Sequence, residues 1–99
     1  MAGYSASKAA AHSLTLALRP VLAGSGVTVH GVHPGGIDTD MLAGVEVAKA
    51  DPATVPAAIL DGVAAGSQDM YPDPTSAQMG QLWERDPRAF TAAFAAMGA

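Results

Sequence analysis

Residues 3–36 read GYSASKAAAHSLTLALRPVLAGSGVTVHGVHPGG. Alanine and leucine recur at helical density over residues 5–23, and Gly24, Ser25 and Gly26 supply a helix stop. Pro20 falls in the last turns and has no N–H to donate, which predicts a kink or a tightened end near Arg19. The β-branched run over residues 27–33 predicts a strand, closed by Pro34, Gly35 and Gly36. Valine on both faces of that strand suits a parallel sheet covered on two sides better than an exposed hairpin. A helix, a covered strand and a glycine turn in succession read as α/β.

The rest of the chain continues that pattern. In DPATVPAAILDGVAAG, residues 51–66, Asp51 and Pro52 offer a helix cap, but Pro56 lacks a donor, so regular helix is expected only from about Val55. QDMY, residues 68–71, predicts a second short strand, and Asp73-Pro74 and Asp86-Pro87 each predict the start of a further helix. Met79, Leu82 and Trp83 share one face of the first of these, and Phe90, Phe94 and Met97 one face of the second, as packing residues do. No repeat, linker or domain boundary interrupts residues 1–99. With at most one neighbouring strand, the sheet is expected to be incomplete, its edges uncovered.

Composition excludes several functions. The chain has 99 residues, 49% of them hydrophobic, and a formal net charge of -4. Its only lysines are Lys8 and Lys49, and no basic stripe accompanies an aromatic platform, which argues against a nucleic-acid partner. Cysteine is absent, which removes disulfides, thiolate nucleophiles and sulfur-ligated zinc and fits a cytoplasmic protein. No apolar run approaches the length of a membrane span, so no membrane partner is expected. His30 and His33 stand three apart on the expected strand and point to opposite faces, so no metal site is expected there.

Tyr4 and Lys8 are four residues apart on the first helix and therefore share a face about one turn apart. HPGGIDTDM, residues 33–41, directly follows the strand, where loops of α/β sheets line the ligand crevice. Together, Tyr-x-x-x-Lys opening a helix, the Gly-Ser-Gly turn, the strand and Pro-Gly-x-Ile-x-Thr resemble the short-chain dehydrogenase/reductase family, and the likeness continues into AAILDGVAAG and DMYPDP.

The resemblance implies the carboxyl-terminal portion of a Rossmann-like, doubly wound parallel sheet, incomplete within these residues. It implies an oxidoreductase using NAD or NADP to interconvert a small alcohol and a carbonyl compound, and a homo-oligomer when complete. Tyr4 would be the general acid or base. Lys8 would stabilise its phenolate, since a phenol ordinarily ionises only near pH 10, and would hold the nicotinamide ribose. Pro34, Gly35 and Gly36 would shape the cofactor loop, Ile37 would meet the carboxamide through its backbone, and Thr39 would bond the carboxamide or the pyrophosphate. Met41 and Leu42 would begin the segment that covers the substrate.

His33 stands where many family members carry asparagine. The family's glycine-rich pyrophosphate turn, its ribose-selecting residue and its catalytic serine have no counterpart here: Gly62 and Gly66 belong to a helical pattern with Gln at position 68. Those parts would precede Met1, and the chain alone is then expected to be inactive. A non-catalytic remnant, or a module that pairs through its alanine-rich first helix, is the alternative expectation.

Overall fold

The computed structural model describes residues 2–35, 44 and 49–96. They form α1 (Ala2–Leu22), β1 (Gly31–Val32), α2 (Val55–Ala64), β2 (Asp69–Met70), α3 (Pro74–Arg85) and α4 (Pro87–Ala96). Among the described residues the protein is a mostly helical α/β chain with one two-stranded parallel sheet. It divides into two compact units, Met1–Gly31 and Val32–Ala99.

In the first unit, α1 begins three residues before the expected start and ends one residue before the expected stop. Pro20 cannot donate to the Leu16 carbonyl, and the helix ends two residues later. The stop is built by Ser25: its N–H and its hydroxyl both donate to the Leu22 carbonyl, at 3.0 and 2.6 Å, while Gly24 and Gly26 take φ of 81° and 83°. The least exposed residues of α1 are His12, Thr15, Arg19 and Leu22, spaced to form one face; Leu14, Leu18 and Val21 lie exposed on another.

The strand expected over residues 27–33 is only Gly31–Val32 among the described residues. Upstream of it, backbone groups are taken by side chains rather than by a ladder: the Val27 N–H donates to the Ser25 hydroxyl at 3.3 Å, and the Val29 carbonyl accepts from Arg19 Nε at 3.3 Å. Val27 and Val32 are exposed, so the two-sided cover that valine placement predicted is not present among the described residues.

β1 pairs with β2, and in the second unit the His33 N–H continues the pairing to the Met70 carbonyl at 2.9 Å. The core is small and centres on Val55 and Met70. Glycines bring the helices onto it: a Cβ at Gly62 would run into the Met70 side chain, and one at Gly80 would lie 2.5 Å from the Tyr71 ring. Helix α2 starts at Val55, as Pro56 predicted, but Asp51 caps a preceding turn instead, accepting from the Ala53 N–H at 2.9 Å. The Asp86 carboxylate opens α4 by accepting from the N–H groups of Arg88 and Ala89, both at 3.1 Å. Trp83 meets Phe90 edge to face at 5.3 Å between ring centres, and Phe90 stacks on Phe94 at 6.1 Å, but Trp83 and Phe94 stay exposed, so the packing expected of those positions is met only in part; Met97 lies outside the described residues. No described helix is long and apolar enough to cross a membrane.

Candidate functional site

Helix α1 brings Tyr4 and Lys8 together. The Lys8 ammonium stands over the Tyr4 ring, 5.7 Å from its centre, close enough for a cation–π contact. Both side chains are exposed, and both fall on the face of α1 that carries His12, Thr15, Arg19 and Leu22. The first turn is braced locally by the Ser7 hydroxyl, which donates to the Tyr4 carbonyl at 2.8 Å. A mobile proton on the phenol and a fixed positive charge one turn away are the parts that acid–base chemistry at an oxygen requires.

In the second unit, the residues after β1 are held by the segment that runs from β2 to the start of α3. His33 Nε2 lies 3.0 Å from Asp69 Oδ1, and the His33 ring stacks on Tyr71 at 5.3 Å. Two residues on, the Gly35 N–H donates to Asp73 Oδ1 at 2.7 Å. Asp69, Tyr71 and Asp73 alternate along an extended stretch, so their side chains can meet alternate residues of the neighbouring stretch, here His33 and Gly35.

Asp73 is the most constrained of these residues, with 4% of its surface exposed. It caps α3: Oδ2 accepts from the Ser76 N–H at 3.0 Å, Oδ1 accepts from the Ser76 hydroxyl at 2.7 Å, and the Asp73 N–H donates back to that hydroxyl. Burial works against its negative charge. Hydrogen bonds from the backbone of Gly35, Ser76 and Thr75 and from the Ser76 hydroxyl outweigh it and hold the carboxyl below the ordinary carboxylate range. Tyr71 shifts the other way: burial first, then the negative charges of Glu84 and Asp69 and a hydrogen bond with Glu84, push its phenol above its usual value.

Of the residues picked out by sequence, Tyr4 and Lys8 are adjacent, and Pro34 and Gly35 belong to the other unit. Gly36, Ile37, Thr39, Met41 and Leu42 lie outside the described residues. Gly35 is a glycine for a reason sequence reading did not supply: a Cβ there would lie 2.6 Å from Asp73 Oδ2 and 3.3 Å from the Ser76 nitrogen. Sequence reading also passed over Asp69, Tyr71 and the second function of Asp73. The signal was the alternation in Asp69-Met-Tyr71-Pro-Asp73 beside a strand, with polar side chains at every second position.

Residues 1–50 match the family described as short chain dehydrogenase. The chain belongs to the short-chain dehydrogenase family. The matched stretch contains Tyr4, Lys8 and the whole Pro34–Thr39 motif, and it ends before α2. The residues that hold His33 and Gly35 in this short-chain dehydrogenase therefore lie beyond the matched part. The chain finds no match among curated proteins or among solved structures.

Proposed function

We propose that this chain forms the carboxyl-terminal, proton-transferring part of an NAD- or NADP-dependent oxidoreductase that interconverts an alcohol and a carbonyl compound. The observation that carries the reading is the Lys8 ammonium over the Tyr4 ring, within the matched family stretch. A nicotinamide bound beside them would give or accept the hydride. In the reducing direction Tyr4 Oη donates its proton to the carbonyl oxygen, which becomes the alcohol O–H. The phenolate left behind is stabilised by the Lys8 charge and regains a proton from solvent. In the oxidising direction the phenolate takes the proton from the alcohol.

The chain's own groups fit such a cofactor in part. Lys8 is exposed and has N–H donors for ribose hydroxyls. The Gly35 N–H is already committed to Asp73, so Gly35 and Pro34 set the course of the loop, and direct contacts fall to Gly36, Ile37 and Thr39. Met41 and Leu42 would face the substrate. A cytoplasmic location agrees with the lack of cysteine.

These 99 residues contain no glycine-rich pyrophosphate turn, so the test pairs the chain with the glycine-rich half of another family member. Consumption of NADH or NADPH that depends on an added aldehyde or ketone supports the reading. Complexes that form but show no carbonyl-dependent consumption over a broad substrate panel contradict it.

The exposed Leu14, Leu18 and Val21 of α1 favour a second reading, in which this helix pairs with a second copy of the chain. A monomer in sedimentation at high micromolar concentration would refute that pairing.

A further inference from the structure

We propose that Asp73 is a positioning residue for the nicotinamide loop, holding the Pro34–Gly35 corner against the start of α3 through the Gly35 N–H. The proposal rests on the oxidoreductase reading. It goes beyond that reading in assigning a role to a residue outside the matched family stretch.

Three observations converge on Asp73. Its carboxylate does two jobs: Oδ2 takes the Ser76 N–H that begins α3, while Oδ1 takes the Ser76 hydroxyl and also the Gly35 N–H, across 38 residues of sequence. A helix cap needs only the first of these. The fit is also mutual, because Gly35 admits no side chain against this carboxylate, and both partners are constrained to the contact. Finally, His33 is gripped by Asp69 and Tyr71, four and two residues before Asp73, so the corner is fixed on both sides of Pro34 by one short segment. Asp73 is fully charged at neutral pH, since its carboxyl ionises below the ordinary range, and an N–H bonded to a buried charged acceptor is costly to release. Gly35 is thereby tied to the start of α3, which lowers the conformational freedom that cofactor binding must remove at this corner.

The test separates this role from helix capping. Asp73→Ser keeps a good N-cap for the Ser76 N–H but has one oxygen on a shorter side chain, so it cannot also hold Gly35. Ser76→Ala is the converse: it breaks the capping box and leaves the Gly35 bond. In the full chain, labelled with nitrogen-15, Asp73→Ser should shift the Gly35 amide resonance and speed its hydrogen exchange about tenfold or more, with α3 amides protected as before. In the chain paired with a glycine-rich half, Asp73→Ser should raise the KM for NADH about tenfold, by more than it lowers kcat, whereas Ser76→Ala should leave KM unchanged. An unmoved Gly35 amide, an unmoved KM in Asp73→Ser, or an equal rise in Ser76→Ala overturns the proposal alone. A wild-type pair that binds no dinucleotide overturns the functional reading and the proposal with it.

Discussion

Replacing Gly35 by alanine inserts a methyl group where the structure has no room. The new Cβ would stand 2.6 Å from Asp73 Oδ2, 3.4 Å from Asp73 Cγ and 3.3 Å from the Ser76 nitrogen. Carbon and oxygen rest no closer than about 3.3 Å, so the carboxylate must retreat by roughly 0.7 Å or the corner must lift away from it. Either movement stretches a 2.7 Å bond from Gly35 or a 3.0 Å bond from Ser76 at a carboxylate that is almost fully buried. Losing a hydrogen bond to a charged group costs about 1.5–3 kcal/mol, and damage to the cap adds to that, so Gly35→Ala should destabilise the second unit by about 2–3 kcal/mol. Trp83 is the only tryptophan and sits on α3, so urea unfolding followed by its fluorescence reads this unit. The cause can be isolated by repeating the substitution beside Asp73→Ser, whose shorter side chain leaves space for the methyl. There Gly35→Ala should cost less than about 1 kcal/mol, giving a clear coupling in the double-mutant cycle. Equal costs in both backgrounds would refute the claim that the Asp73 carboxylate is what excludes a side chain at position 35.

Acid should loosen the same contact. Because Asp73 ionises lower in the folded chain than unfolded, the unfolded chain binds more protons between the two values; its contribution is whole above the ordinary aspartate value of about 3.9 and is lost as pH falls through the native one. Trp83 fluorescence followed into acid should show this loss, and the Asp73→Ser chain should show a shallower one; parallel curves would contradict it. At the next helix, Asp86→Ala removes the acceptor for the Arg88 and Ala89 N–H groups and should cost about 1 kcal/mol in urea unfolding, while a change under about 0.3 kcal/mol would show that the cap contributes nothing.

The helices were legible because their ends are written locally. Asp73-Pro74 and Asp86-Pro87 place a cap and a donor-free residue side by side, and Pro56 delays α2 as its missing N–H requires. Tyr4 and Lys8 were legible for the same reason, since a spacing of four residues on a helix fixes their proximity. Strand length was not, because a ladder depends on its partner: β2 offers only Asp69 and Met70, and upstream of β1 the backbone of Val27 and Val29 turns to Ser25 and Arg19. Nor could sequence disclose that Asp73 reaches Gly35, a contact between residues 38 positions apart. Gly35 illustrates the difference. Its type announces a close approach, and only the fold shows that the approaching group is a carboxylate of the chain itself.

In the proposed reaction Tyr4 transfers the proton, and Lys8 both assists it and binds cofactor. Both residues are exposed on α1, so replacing them should change stability by less than about 0.5 kcal/mol, and any loss of activity will be chemical. The most direct measurement is turnover together with the NADH dissociation constant for Tyr4→Phe and Lys8→Met, in the chain paired with a glycine-rich half. Tyr4→Phe keeps the ring and removes the acid, so turnover should fall about 10² to 10⁴-fold with cofactor binding nearly unchanged. Lys8→Met should lower turnover and weaken cofactor binding together. Ordinary turnover in Tyr4→Phe would contradict the assignment, leaving a lysine resting over a tyrosine on the surface of a helix.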